Sequence, residues 1–241
     1  TNSVDGVESI RFFQPDKESF LEYDLTKIVY NLAHPKKPVI GVLSMLPFNG
    51  GFDPMSRQPR QPWVISEQMN QIFEVRNLGF NDAQIPDDVD VLMVVHPKAL
   101  NDKALYAVDQ FILKGGRAML FVDPHAEADV PPGAANNPQA MFAERSSNLK
   151  KLFDNWGIEV DTKKILGDAQ YALTVNYNPN RPPVQHVGIL SIDQTGLSAD
   201  DVITAELGTV NWSFPGFIQR KDDAKVDWIP LVTSSNQAMP M

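Results

Sequence analysis

Four side chains that could bind a metal ion or exchange a proton follow two apolar runs of the chain. The runs VLMVV and AMLFV each end in a polar residue followed by proline. His96 follows the first run, and Asp123, His125 and Glu127 follow the second. Zinc binds imidazole nitrogen and carboxylate oxygen, and ligands of open α/β sheets bind beyond the carboxyl ends of the strands. These four residues are therefore the first candidates for a ligand or metal site.

A structural explanation accounts for the same residues without any ligand. The residue before a proline is driven to an extended backbone, so His96 and Asp123 can end their strands with no chemical role. The Asp123 carboxylate can also accept backbone N–H groups of the turn that it begins. No HExxH spacing occurs in the chain. The ligand site and the purely structural strand ends stay open as alternatives.

A second group of candidates lies in the long loop of residues 47–62. This loop holds four prolines and a glycine pair, and it is too long for a simple strand–helix connection, so we expect it to be mobile or functional. Asn49, Gly50 and Gly51 are its candidate ligand-binding residues. No GxGxxG or GxxxxGK[ST] pattern surrounds them, which argues against a nucleotide site.

The composition argues against several classes of function. The chain has no cysteine, which removes thiolate zinc sites and cysteine nucleophiles, and it has no GxSxG turn. Our leading prediction therefore has no catalytic residue, no cofactor and no resident metal, and a metal-dependent hydrolase that uses imidazole and carboxylate ligands stays open as the alternative. The net charge of −9 opposes binding to the phosphate backbone of nucleic acid.

Hydrophobic periodicity places the candidates in an α/β core. A continuous apolar strand, an amphipathic helix and a second apolar strand form a βαβ unit, whose parallel strands are buried on both faces. We predict such a domain, a doubly wound parallel sheet, over residues 1–160. Its predicted helices cover 16–33, 63–75 and 101–116, and its predicted strands cover 37–45, 73–78, 85–95 and 117–123.

Residues 161–241 have a different pattern, from which we predict a β-rich extension packed on the core. The predicted strand segments are 164–175, 184–192, 205–214 and 226–235. The aromatic residues of GTVNWSFPGF are typical of a core, and an exposed patch for a partner is the alternative.

The apolar runs are too short for a membrane span. They extend over about five residues, whereas a spanning helix needs about 20. The chain begins at Thr1 without a signal segment and ends at SSNQAMPM without a closing element. We expect a soluble piece of a longer protein.

Several long segments, taken together, resemble the GldG-type auxiliary components of ABC transport systems, a family named after gliding motility. The segments are ESFLEYDLTKIVYNLAHPKKPVIGVLS, QPWVISEQMNQIFEV, IPDDVDVLMVVHPKALNDKALYAVDQFILKGGRAMLFVDPHAEAD and RPPVQHVGILSI. The resemblance implies a core similar to the flavodoxin-like, glutamine-amidotransferase-like fold. That fold's enzymes use a cysteine nucleophile, which this chain lacks, so the resemblance implies no catalysis and carries over no catalytic residue.

The resemblance also implies a location and partners. We expect an extracytoplasmic domain at the periplasmic face of the inner membrane, in a membrane-anchored protein that works with an ABC permease and ATPase. The domain would bind a partner protein or the transported substrate, and a second copy or a related auxiliary subunit is a further candidate partner. The alternative function is a metal- or carbohydrate-binding domain, or a hydrolase, with its site at His96, Asp123 and His125.

Overall fold

In the computed structural model the chain divides into two compact units. Unit 1 comprises Thr1–Val94 and Asn101–Leu120, and unit 2 comprises Val95–Leu100 and Phe121–Met241. The predicted division into residues 1–160 and 161–241 stays a prediction. The structure describes residues 6–10, 18, 20–53, 58–80, 84–98, 100–130, 142–176, 178 and 180–241.

Helices and strands alternate along unit 1. β5 and β6 lie in this unit except for their last residues, Val95 and Phe121. The elements are α1 (Leu21–Ala33), β1 (Val39–Ser44), β2 (Gly51–Asp53), β3 (Gln58–Arg60), α2 (Val64–Ile72), β4 (Glu74–Asn77), β5 (Val91–Val95), α3 (Asp102–Leu113) and β6 (Arg117–Phe121).

A four-stranded parallel sheet in the order β4-β1-β5-β6 forms the centre of unit 1. β1 pairs with β4 from Val39↔Glu74 to Val42↔Asn77. The two central strands are buried along almost their whole length, because a strand with neighbours on both edges and helices near its faces has little contact with water. The predicted α/β core with parallel strands is confirmed. Its buried side chains include Val39, Ile40, Val42, Leu43, Leu92, Val94 and Val108.

The helix between β5 and β6 is close to its predicted form. Asn101 caps α3 by accepting a hydrogen bond from the backbone N–H of Ala104 at 2.9 Å, which satisfies one of the free donors of the first turn. Gly115 has a φ of 90° just after the helix, in the left-handed region that glycine adopts without a steric penalty.

The prediction that β6 is buried on both faces is wrong. Its side chains alternate between exposed and half-buried, with Met119 and Phe121 among the exposed ones. β6 is the edge strand of the sheet, with β5 on one side only. An edge strand can expose part of its surface even when its sequence is as apolar as that of a central strand.

The predicted first helix corresponds to α1 in the described part of the chain, and its predicted start at residue 16 lies outside the described residues. The structure assigns helix from Leu21. No residue of α1 is buried, and Phe20, Leu25 and Val29 of its apolar stripe are exposed. None of the helices in the described part of the chain has the length and apolar content that crossing a bilayer requires.

Unit 2 consists mainly of short antiparallel strands, as predicted for the C-terminal part of the chain. They form a three-stranded sheet, β11-β10-β9, and two pairs, β12-β7 and β13-β8. The elements are α4 (Lys150–Trp156), β7 (Ile158–Val160), β8 (Leu166–Asp168), β9 (Ala172–Val175), β10 (Val184–Asp193), β11 (Thr209–Ser213), β12 (Ile218–Arg220) and β13 (Ala238–Pro240).

The core of the three-stranded sheet lies on one face of β10. Leu190 is fully buried, and Ile192 is 3% exposed. These side chains pack with Tyr171 and Leu197. Alternating burial along β10 is the pattern of a strand with one face on a core and one in water.

The predicted strand over residues 226–235 is wrong. The segment makes only an isolated bridge between Leu197 and Val232 among the described residues. Pro230 interrupts the apolar run, and a proline has no N–H to donate to a strand ladder. The C-terminal pairing is instead made by β13, whose residues Ala238–Pro240 pair with β8.

Candidate functional site

His96 follows β5 in a backbone conformation that few non-glycine residues adopt. Its φ is 52°, so the prediction of an extended backbone before Pro97 is wrong. Two backbone hydrogen bonds hold it there: its N–H donates to Phe121 O at 2.9 Å, and its carbonyl accepts from Lys98 N at 2.8 Å. The left-handed conformation costs a non-glycine residue about 1–2 kcal/mol. Continued pairing with β6 and the following turn together impose it.

The His96 side chain is buried and faces a carboxylate. The residue is 2% exposed, and its Nε2 lies 3.2 Å from Asp129 Oδ2. Lys98 donates to the same oxygen at 2.6 Å and also to the carbonyl of Glu144. His96 Nδ1 is buried and has no hydrogen-bond partner in the described structure. The cluster ties the turn after β5 to the loop after β6.

The pKa values of two nearby carboxyl groups, those of Asp129 and Asp123, are shifted in opposite directions. Burial raises the pKa of Asp129, but the hydrogen bonds from Lys98 and His96 outweigh it, so that the pKa lies below its ordinary value. Asp129 is therefore the anionic partner that balances Lys98 at neutral pH. Asp123 shows the opposite behaviour, because burial raises its pKa despite the hydrogen bond from the backbone of His125.

Asp123 begins a turn that its own side chain stabilises. Its Oδ1 accepts the N–H of His125 at 2.7 Å, so the predicted backbone-bonding role is confirmed. The Asp123 backbone also exchanges two hydrogen bonds with Ser147: its N–H donates to Ser147 Oγ at 3.1 Å, and its carbonyl accepts from Ser147 N at 2.8 Å. Ser147 is 3% exposed. The turn is thus anchored at a buried point of unit 2.

The four strand-end candidates divide into two pairs. His96 is buried and Asp123 half-buried, whereas His125 and Glu127 are exposed. Among the described residues, no three His, Cys, Asp or Glu side chains lie close enough together to hold a metal ion. A role of these four residues in binding another kind of ligand stays a prediction.

His125 lines a groove of unit 2 with a volume of about 320 Å³. We name it the Phe214 groove. Its apolar lining residues are Pro124, Ile165, Phe214 and Met241, and its polar ones are His125, Thr162, Lys163 and Lys164. The groove therefore combines an apolar surface with two lysine residues.

Phe214 is held in this groove by a strained backbone. Its φ is 50°, which for a bulky residue is unusual. Its N–H donates to Gly188 O at 2.8 Å. The rings of His125 and His186 lie edge-to-face with Phe214, at centroid distances of 6.0 and 5.5 Å. Like His96, Phe214 directly precedes a proline.

The sequence by itself did not single out several residues of the His96 cluster and of the Phe214 groove. Lys98 follows β5 closely and Asp129 lies in the loop after β6, and the acidic residues of HAEAD were a usable signal for Asp129. Lys163 and Lys164 form a basic pair that the sequence marks but does not connect with Pro124–His125. For Phe214 the only signal was the aromatic density of GTVNWSFPGF.

The loop candidates of unit 1 use their polar groups internally. Ser66, which is 1% exposed, donates to Asn49 Oδ1 at 2.6 Å, and Asn49 Nδ2 donates to Asn77 Oδ1. Gly50 and Gly51 have φ values of 73° and 132°, which only glycine adopts readily. Asn49 thus connects the loop to α2 and β4. Residues 54–57 of this loop lie outside the described residues, and a ligand-binding role of Asn49, Gly50 and Gly51 stays a prediction.

Comparison with known proteins identifies a family. The sequence model of a family described as "ABC-type uncharacterized transport system" matches residues 37–241. A relative, an uncharacterized protein of Borreliella burgdorferi (strain ATCC 35210 / DSM 4680 / CIP 102532 / B31), is 25% identical over 228 residues. The match covers 91% of this chain but 41% of that relative, so the chain spans less than half of the relative's length. No solved structure matches.

Proposed function

The chain belongs to the auxiliary family of ABC-type transport systems, and on this premise we propose that it is the extracytoplasmic domain of a membrane-anchored auxiliary subunit of the GldG type. In this role it binds a partner protein or the transported substrate, and it does no chemistry itself. Its partners are the permease and the ATPase of the same system. The match of the family over residues 37–241 is the observation that carries the proposal.

The sheet of unit 1 supports the fold that the proposal assumes. Numbered along the chain, the four strands of the parallel sheet have the order 2-1-3-4, which is the order of the first four strands of a flavodoxin-like sheet. We therefore propose a flavodoxin-like, glutamine-amidotransferase-like core. The absence of cysteine from the chain supports a binding role, because enzymes with that core rely on a cysteine nucleophile.

Co-purification of the intact parent protein tests the proposed partners. The parent would be tagged, extracted in mild detergent and isolated, and the proteins that accompany it would be identified by mass spectrometry. We expect an ABC permease and its ATPase in a constant ratio. A tagged membrane protein of similar size and unrelated function is the control. Recovery of the parent alone, in detergent that keeps other ABC complexes intact, would contradict the proposal.

The proposed location has a separate test. Alkaline phosphatase is active only after export, and green fluorescent protein fluoresces mainly when it folds inside the cell. Each reporter would be fused to the parent protein within residues 1–241. We expect the phosphatase fusion to be active and the fluorescent-protein fusion to be dark. The reverse pattern would place this domain on the cytoplasmic side and would remove the extracytoplasmic role.

The His96–Asp129 pair favours a hydrolase as a second candidate function. A buried imidazole beside a carboxylate is a common arrangement of a general base, and backbone strain of the kind seen at His96 clusters at active sites. Screening the purified chain against ester, phosphoester and glycoside substrates tests it, with His96→Gln as the matched variant. Hydrolysis that disappears in this variant would establish the candidate, and equal rates in both proteins would eliminate it.

A further inference from the structure

The Phe214 groove has the size of a small-molecule site. Pockets that bind small ligands have volumes of roughly 300–1,000 Å³ and combine an apolar lining with a few polar groups. With about 320 Å³, the groove is at the small end of this range and fits a ligand with one ring. Phe214, Ile165 and Met241 provide apolar surface, and Thr162 provides a hydroxyl group.

The charge at the rim of the groove is the opposite of that of the whole chain. The chain carries a net charge of −9, yet Lys163 and Lys164 lie side by side at this groove. Lys164 Nζ lies 3.8 Å from Asp161 Oδ2 in a partly exposed pair, and Asp161 Oδ1 accepts the backbone N–H of Lys163 at 2.9 Å. A pair at this distance and exposure offsets the charge of Lys164 only weakly. In the described part of the chain, no acidic side chain pairs with the Lys163 ammonium group. Lys163 thus offers a positive charge to a bound anion.

Ring packing and a backbone hydrogen bond fix the position of Phe214 before any ligand binds. Phe214 keeps its left-handed backbone through the hydrogen bond to Gly188, and the imidazoles of His125 and His186 pack against its ring. Preorganisation of this kind lowers the entropy that binding would otherwise lose. Strained residues in a folded protein also concentrate at ligand sites.

From the volume, the uncompensated lysine and the fixed ring, we propose that the Phe214 groove binds a small organic anion. The ligand carries a carboxylate or phosphate group on an apolar body about the size of one ring. The anionic group binds at Lys163 with Lys164 beside it, and the apolar body lies against Phe214, Ile165 and Met241. This inference goes beyond the proposed transport role, and it holds or fails on the isolated chain.

Titration of the purified chain, residues 1–241, followed by NMR, tests the proposal. The probes are phenylacetate, phenyl phosphate and neutral phenylacetamide, which share a ring and differ in charge. We expect the anions to shift the backbone amide signals of residues 162–165 and 214, and phenylacetamide to bind about two- to fivefold more weakly, because ion pairs of exposed lysines contribute about 0.2–1 kcal/mol each. Preference between the two anions identifies the ligand as a carboxylate or a phosphate.

Two variants locate the site. Lys163→Gln removes an exposed ammonium group and is expected to weaken binding of the better anion by about two- to fivefold. Lys103→Gln, an exposed lysine of α3, is the matched control and should leave the affinity unchanged. Phe214→Leu keeps an apolar side chain but removes the ring, and it should weaken phenylacetate and phenylacetamide alike.

Three results would overturn the proposal. They are equal affinity for phenylacetamide and the anions, signal changes spread over lysines outside the groove, and equal losses in Lys163→Gln and Lys103→Gln. Co-purification of the parent with a permease and an ATPase does not depend on this groove. Failure of the anion site and failure of the transport role are therefore distinguishable.

Discussion

Two residues of unit 2, His96 and Phe214, have a positive φ and both lie directly before a proline. Within the described ranges, no other non-glycine residue has a positive φ. Both make backbone hydrogen bonds that an extended conformation would redirect. The strain persists because the surrounding bonds determine the backbone more strongly than the residue's own preference.

At position 96 we expect the glycine variant to be more stable than the alanine variant, which is the reverse of the usual order. A protein with glycine at a given position is ordinarily less stable than one with alanine by about 0.4–1 kcal/mol, because glycine has more conformational freedom in the unfolded chain. At a φ of 52° alanine carries a steric penalty of about 1–2 kcal/mol that glycine avoids. We expect His96→Gly to unfold at a higher urea concentration than His96→Ala. Both variants should unfold at a lower concentration than the unsubstituted chain.

Tyr106 provides the control for this order. It is an exposed residue inside α3, where glycine should be less stable than alanine by about 1 kcal/mol. If His96→Gly were the weaker variant by a similar amount, backbone strain would not be the reason for the conformation of His96.

Loss of the Asp129 charge is expected to change the acid stability of the protein. The pKa of Asp129 lies below its ordinary value, so the native state binds the proton less readily than the unfolded state. Its contribution is fully present above the unfolded pKa of about 3.9 and is lost as the pH falls through the lower native pKa. We expect Asp129→Asn to cost about 1 kcal/mol at pH 7 and less as the pH falls below about 4.

Urea unfolding of the unsubstituted chain and of Asp129→Asn, at several pH values, measures how this loss of stability depends on pH. Asp200→Asn, at an exposed carboxylate, is the matched control and should be as stable as the unsubstituted chain at each pH. If the stability difference between the unsubstituted chain and Asp129→Asn stayed constant from pH 7 to about pH 3, the charge of Asp129 would make no contribution.

At the scale of elements, one buried carboxylate joins the C-terminal segment to β8. Asp168 has no exposed surface. It accepts hydrogen bonds from the backbone N–H and hydroxyl of Ser235 at 2.8 and 2.6 Å, and from Gln170 N at 3.0 Å. These bonds fix the turn before β13, which pairs with β8. The short strands of unit 2 therefore depend on a side chain as well as on their ladders.

Removal of this carboxylate is expected to be among the more damaging changes in unit 2. Asp168→Ala removes the acceptor of three part-buried hydrogen bonds, from Ser235 and Gln170, and each of these bonds contributes about 0.5–1.5 kcal/mol, or more where the donor then stays out of reach of water. We expect a loss of about 2–4 kcal/mol in the free energy of unfolding. Asp168→Asn keeps one acceptor oxygen and should lose less. Asp200→Ala, at an exposed site, should lose less than about 0.5 kcal/mol. A loss of under about 1 kcal/mol in Asp168→Ala would contradict this role.

At the scale of the whole molecule, the charge limits the choice of partners. A net charge of −9 repels a phosphate backbone, and the lysine pair of the Phe214 groove is too small a patch to reverse this field. The partner or ligand is therefore expected to be a protein or a small molecule.

A direct binding measurement checks this expectation. Fluorescence anisotropy of a labelled DNA duplex of about 20 base pairs should not change on addition of the chain up to about 100 µM at physiological salt, since non-specific binders have dissociation constants of roughly 1–100 µM there. A known basic DNA-binding domain is the positive control. Saturable binding that weakens with added salt would show that a local basic surface overcomes the net charge.

The sequence by itself determined the features that depend on local pattern. The continuous apolar runs of β1 and β5, the apolar stripe of α3, the Asn101 cap and the Asp123 turn are all set by neighbours within a few residues. The expected repulsion of nucleic acid follows from the net charge of −9. The long segments in the same order also identified the transport-auxiliary family, because such a resemblance needs no knowledge of contacts.

Only the tertiary structure decided which distant residues meet. The exposure of β6 depends on its place at the edge of the sheet. The pairing of His96 with Asp129 joins residues 33 positions apart, and that of Asp168 with Ser235 joins residues 67 apart. The left-handed backbones of His96 and Phe214 oppose the local preference before proline. Long-range hydrogen bonds and packing outweighed that preference, and no local pattern records them.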